Sequence, residues 1–198
     1  GFPPEVAYLA IQDLLRDPSP QPISFGCLEC PSDFAFVLVD HEGHSDTTEV
    51  VDLDVTDGYA IAMIAVMASA QTGFYDLIWT AAGTSGTLGD AVRVSRGQVR
   101  IEEVSPSVFV AEQSERLDVI VEGWNFEEDS LVHLGDAGVD EVGCMMDDIA
   151  PERVSCHFAD TLGWSIPEGD TTLSVRDAAD VVDCGGWTQA CVEVPVVR

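Results

Sequence analysis

Residues Tyr59–Ser95 read YAIAMIAVMASAQTGFYDLIWTAAGTSGTLGDAVRVS. The stretch falls into an apolar run, a small-residue turn, an aromatic and β-branched run, a Gly-rich turn and a closing run, AVRVS. Short runs of this composition between Gly and Ser punctuation read as strands. A similar plan returns near the C-terminus: RVSCHF at 153–158, SIPEGDTTLSVRDA at 165–178, a turn bracketed by Cys184 and Cys191, and ACVEVPVV at 190–197. Self-similarity over a period of about a hundred residues marks tandem modules. Within the quoted stretch, Tyr59–Ala70 has two readings, a buried helix or a strand covered on both faces. Its Gly-bounded ends and Ile61, Ile64 and Val66 suit the strand.

Outward from this stretch the strand signals continue. Phe34–Val39, Glu49–Val55, Leu117–Glu122 and Thr172–Arg176 are short and mostly alternating. In Glu49–Val55 the alternation predicts Val51, Leu53 and Val55 on one side, Asp52 and Asp54 on the other. Gly43, Asp57-Gly58, Gly83 to Gly89, Gly135 to Gly138 and Pro167-Glu168-Gly169 supply the turns. Strands at this spacing predict an all-β chain built of sandwiches. Glu5–Arg16 (EVAYLAIQDLLR) reads either as an amphipathic helix or as a first strand and a turn.

The 198 residues are 46% apolar, enough to build cores. They carry 36 acids against 8 basic residues, all arginine, for a net charge of −28. The acids are spread over the chain, 14 in residues 1–98 and 22 in 99–198, so they form no acidic tail. Without a basic stripe the surface repels phosphate, which argues against nucleic acid and anionic lipid as partners. The longest apolar run, Tyr59–Ala70, is too short to span a bilayer, so no membrane insertion is expected. Acidity of this kind serves solubility in a salty medium, or it recruits Ca²⁺, which takes roughly six to eight oxygens. Six cysteines falling in close pairs suit an oxidising compartment, and the opening Gly1-Phe2-Pro3-Pro4 looks like a trimmed start; a secreted or cell-surface location is expected.

The second half carries a recognisable series. Ile101-Glu102-Glu103-Val104-Ser105-Pro106 is followed by Val121-Glu122-Gly123-Trp124-Asn125-Phe126, then Val132-His133-Leu134-Gly135 and Ile166-Pro167-Glu168-Gly169. The series resembles the IPT/TIG family of immunoglobulin-like domains over nearly all of residues 99–198. The resemblance implies a β-sandwich in which Gly123 allows a tight bend, Asn125 caps a turn and Phe126 plugs one end. It also implies that Trp124 belongs to the core or a domain junction. The first half lacks V-S-P and G-x-N-F, but Gly73-Phe74-Tyr75-Asp76-Leu77 looks like the family's G-x-Y strand. The expectation is two tandem immunoglobulin-like β-sandwiches, a divergent one over 1–97 and an IPT/TIG-like one over 98–198, divided near Arg96-Gly97-Gln98.

Candidate chemistry is sparse. Cys27-x2-Cys30-x10-His41-x2-His44 resembles a zinc site, though a strand separates its halves; the alternative is a small Cys27–Cys30 disulfide loop beside a solvated turn. The other cysteines pair by proximity as Cys144–Cys156 and Cys184–Cys191, although four cysteines allow three connectivities. Asp52, Asp54 and Asp57 resemble a calcium loop, but Gly58 stands one place later than an EF-hand requires. Asp147-Asp148 and Asp136, Asp140 and Glu141 are less specific oxygen donors. No nucleophile motif or phosphate loop is present, so no catalytic residue is assigned and no cofactor beyond calcium is expected.

The expected role is structural or adhesive: a spacer or subunit of a surface assembly or filament, with other protein subunits, surface ligands or further copies as partners. Val6, Leu9, Ile11 and Leu14 lie in an apolar segment followed by Pro18, Pro20 and Pro22. Such a segment either completes a neighbour's sheet by strand addition or forms the first element of its own domain. Two rivals are an accessory carbohydrate-binding module using Trp124, Trp164 and Trp187, and a calcium-stiffened adhesin.

Overall fold

Alternation of apolar and polar residues converts almost every run above into a half-buried strand. The computed structural model describes residues 5–8, 11–56, 58–111, 116–135, 141–159, 161, 166, 168–177 and 190–197. The chain forms two compact units, Gly1–Gly97 and Gln98–Arg198.

In the first unit the strands are β1 (Glu5–Tyr8), β2 (Gln12–Leu15), β3 (Gln21–Leu28), β4 (Ala35–Asp40), β5 (Thr48–Thr56), β6 (Gly58–Val66), β7 (Gly73–Ala81) and β8 (Thr84–Ser95). They form two sheets, β1-β3-β6-β5 and β2-β8-β7-β4. All pairs are antiparallel except β2 with β8, which is parallel. The three runs of Tyr59–Ser95 are β6, β7 and β8. Ile23 and Phe25 from β3, Ala60, Ala62 and Ile64 from β6, and Leu77 from β7 fill the core. Phe25 meets Phe36 edge-on, with ring centroids 5.3 Å apart. Tyr75, buried near the start of β7, donates its hydroxyl to the Gln71 carbonyl at 3.0 Å. This is the tyrosine corner of immunoglobulin-like sandwiches, which satisfies a phenol that would otherwise be buried unpaired.

The second unit repeats the plan. Its strands are β9 (Arg100–Ser105), β10 (Phe109–Val110), β11 (Leu117–Trp124), β12 (Ser130–Leu134), β13 (Val142–Gly143), β14 (Met145–Ala150), β15 (Arg153–Phe158), β16 (Gly169–Asp177) and β17 (Cys191–Val197). The sheets are β14-β15-β11-β9 and β10-β17-β16-β12-β13. As in the first unit, one short strand, β10, runs parallel to the last, β17. Strand for strand, β9, β11, β15 and β14 occupy the places of β1, β3, β6 and β5; β13 is an addition. Both units are therefore immunoglobulin-like sandwiches, and the chain is all-β. The doubled pattern of the sequence is the same three strands in each unit, β6-β7-β8 and β15-β16-β17. Gly73 and Gly169 open the equivalent strands β7 and β16 with positive φ, +138° and +127°.

The Gly123-Trp124-Asn125-Phe126 motif has a local mechanism. Gly123 sits at an irregularity between β11 and β9, where a Cβ would collide with the Arg100 carbonyl and the Phe126 ring. Asn125 takes φ +64° and donates its side-chain amide to the Gln98 carbonyl at 2.9 Å. Phe126 is buried in the core. The Ser105–Pro106 peptide is cis.

Of the two readings of Glu5–Arg16, the described residues follow the strand, giving β1 and β2, one to each sheet. Two expectations need correction. In β5 a bulge between Val50 and Asp52 shifts the alternation by one residue. Val50, with Leu53 and Val55, packs on the core, and Val51 is exposed. Finally, β6 is covered on one face only: Ala60, Ala62, Ile64 and Val66 are buried, but Tyr59 and Ile61 face solvent.

Candidate functional site

The N-terminal segment is placed by its own alternation. Val6 packs against the first core and Leu14 is fully buried within it, whereas Ile11 is 53% exposed. Leu9 lies outside the described residues. Strand β1 borders one sheet through β3, and β2 borders the other through β8. An exposed ion pair, Arg93 Nε to Asp13 Oδ1 at 2.7 Å, ties β2 to β8 on their outer side. The turn that follows is clasped by Gln21, whose side-chain amide donates to the Leu15 carbonyl at 2.8 Å and accepts the Leu15 N–H at 2.9 Å. Within one chain the segment thus contributes two four-residue edge strands to the first unit.

The cysteines act as staples. Cys27, at the end of β3, is bonded to Cys30. Cys144, between β13 and β14, is bonded to Cys156 in β15, with both buried in the second core. Cys191 is also in a disulfide; Cys184 lies outside the described residues.

The four residues of the zinc pattern do not form a metal tetrahedron. A disulfide has no thiolate to offer, so Cys27 and Cys30 drop out. His44 Nδ1 pairs with Asp40 at 3.2 Å, and His41 Nε2 pairs with Asp90 at 3.1 Å. Among the described residues, three metal-capable side chains gather only as His41, Asp76 and Asp90, with ligand atoms within 4.8 Å of one another. Asp76 lies on β7, Asp90 on β8, and His41 just after β4. No local spacing signals such a trio, because each residue comes from a different strand. Asp90 adopts φ +51° within the irregularity of β8 opposite Asp76, and its N–H is bound by Asp76 Oδ1 at 2.9 Å.

Asp52 and Asp54 are exposed on β5 and join no group of three metal-capable side chains among the described residues. Asp57, Asp136 and Asp140 lie outside them. Asp147 is held by His157 Nδ1 at 2.9 Å and Arg116 at 3.2 Å. Glu141 pairs with Arg176 at 3.1 Å and with His133 at 3.3 Å. Of the tryptophans, Trp124 lies half-buried with the Arg100 guanidinium 5.6 Å from its ring centre, a cation–π contact. Trp164 and Trp187 are outside the described residues.

Asp40 and His133 are among the perturbed titrating groups. Burial alone would push the Asp40 carboxyl up, but the His44 and Glu42 N–H groups and the His44 ring outweigh it and hold Asp40 below the usual value. Burial pushes His133 below its usual value; Glu141 opposes that shift and Arg176 adds to it.

No protein-family model and no curated relative matches the chain. Among solved structures it is similar to the titin Ig tandem domains A164-A165, at 6% identity and TM-score 0.46, over 98% of this chain and 95% of that one. A fragment of surface layer protein SbsC, domains 4–9, is similar at 12% identity and TM-score 0.32, over 98% of this chain and 32% of that one. The plexin A4 extracellular region is similar at 12% identity and TM-score 0.35, over 98% of this chain and 25% of that one.

Proposed function

We propose that this chain is a non-enzymatic structural or adhesive module of a secreted or cell-surface protein. Its copies associate by exchanging their N-terminal strands. The observation that carries this reading is the placement of β1 and β2: two short edge strands, one in each sheet, with Leu14 filling the core. Between them and β3 lies the bend Asp17-Pro18-Ser19-Pro20, in which Asp17 Oδ1 accepts the Ser19 N–H at 2.8 Å. Exchange would reproduce the same β2–β8 ladder and the same Leu14 contacts between two copies. It needs no new surface, which makes it a low-cost route to assembly. The disulfides support an oxidising compartment. The G-x-N-F mechanics of the second unit support its assignment to the IPT/TIG type.

The test locks the segment to its own domain. Asp13 and Arg93 are register partners on β2 and β8, so Asp13→Cys with Arg93→Cys creates a removable bond between them. Wild-type chain should form species larger than the monomer as concentration rises in analytical ultracentrifugation. The oxidised double variant should stay monomeric. Equal assembly by the locked variant would sink the exchange reading.

A further inference from the structure

A sheet with one solvated face ordinarily alternates apolar inward and polar outward. Strand β6 breaks this rule, since its outward positions are Tyr59, Ile61, Met63 and Ala65. Tyr59 is 46% exposed and Ile61 40%. Register places Gly26 and Thr56 beside Tyr59, Ser24 and Asp54 beside Ile61, and Pro22 and Asp52 beside Met63. At the β1 end, Leu28 adds a further exposed apolar side chain opposite Glu5. The face spans four strands, about 19 Å, by about 27 Å of strand length, or about 500 Å². Tyr59, Ile61 and Met63 form an apolar stripe along its centre within a polar rim, and contiguous exposed apolar patches of this kind are often functional.

The second unit supplies an internal control. Its β15 occupies the same place in the same topology, and its outward positions are Arg153, Ser155 and His157. The neighbours there are Glu122 and Ala150 beside Arg153, Ile120 and Asp148 beside Ser155, and Asp118 and Met145 beside His157, so the central strand is polar even though apolar residues flank it. The fold therefore does not demand an apolar outer face at this strand; the first unit has one by sequence choice.

We propose that the outer face of β1-β3-β6-β5 docks a partner protein whose own surface has an apolar centre flanked by Lys or Arg. The rim decides the partner's charge. Exposed Glu49, Asp52 and Asp54 line the β5 side and Glu5 the β1 side, and among the described residues no arginine lies on this face. A second copy would bring the same carboxylates against these, so like charges would meet across a desolvating contact. A cation-rimmed apolar surface pairs with the rim and covers Tyr59, Ile61 and Met63. A β-hairpin can present such a surface, apolar on one face with cationic side chains at its rim.

Three synthetic hairpin peptides test the proposal by calorimetry and by ¹⁵N–¹H mapping on the full chain. One has a Val/Ile face and a Lys rim, one a Thr face and the same Lys rim, one a Val/Ile face and a Glu rim. The first should bind best, with shifts confined to β1, β3, β5 and β6. Ile61→Glu should weaken it by about tenfold or more, from loss of one buried aliphatic side chain. Ile61→Thr should give the same direction of change should the glutamate variant fold poorly. Asp52→Asn with Asp54→Asn should flatten the salt dependence of binding. Equal binding of the Thr-faced peptide, or unchanged affinity in both Ile61 variants, would overturn the proposal. So would a wild-type dimer that Ile61→Glu dissolves, since the occupant would then be a second copy.

Discussion

Gly123 shows how a single position carries a motif. The chain of β9 approaches so closely that a methyl group meets both the Arg100 carbonyl and Phe126. Gly123→Ala should cost about 1–3 kcal/mol of stability through overpacking, read as a lower urea midpoint. Tyr75→Phe removes a buried hydroxyl and leaves the Gln71 carbonyl to find water. That change should cost about 1 kcal/mol. His133 predicts a pH dependence. Its folded value lies below its unfolded one, so the unfolded chain takes the proton first. Stability of the second unit is therefore full above the ordinary histidine value, about 6.5, and falls as pH drops through it toward the lowered folded value. His133→Gln should flatten that slope in melts followed from neutral to mildly acidic pH; an unchanged slope would assign it to another group. At this scale the sequence was legible where a residue's role is local. Gly123, Asn125 and Phe126 could be read from their order alone. The trio His41, Asp76 and Asp90 could not, because register between distant strands brings it together.

Among the elements, β2 is a short edge strand anchored in the core by one residue. Leu14 is its one fully buried side chain, and Leu14→Ala should cost about 2–5 kcal/mol. The Cys144–Cys156 disulfide closes a separation of 12 residues, so replacing the pair with alanines should cost about 3 kcal/mol in the chain-entropy account. Element identity followed from alternation wherever one face is buried. Two elements departed from it for opposite reasons. In β5 an extra residue displaced the phase, and a bulge of this kind leaves no mark in composition. In β6 the continuous apolar run predicts two covered faces, but the fold covers only one, leaving Tyr59 and Ile61 exposed. A run of this kind does not by itself say which face the fold will bury.

For the whole molecule, the charge of −28 sets the response to salt. Raising ionic strength from about 0.01 M to about 1 M shortens the screening length from about 30 Å to about 3 Å. Self-repulsion of the compact chain then weakens. A gain of about 1 kcal/mol would appear as a rise in melting temperature of about 4–8 °C for units of this size. The doubled plan was legible because three consecutive strands recur in each unit in the same order. The way copies associate was not, since an N-terminal segment that pairs within its chain and one that pairs between chains have the same sequence and the same ladder. Mixing two single-cysteine variants, Asp13→Cys and Arg93→Cys, separates them directly. Under mild oxidation, strand exchange predicts a covalent dimer joining the two variants, well above the yield from Asp13→Cys mixed with Asp118→Cys. Equal yields from both mixtures would contradict exchange and leave β2 a permanent part of its own domain.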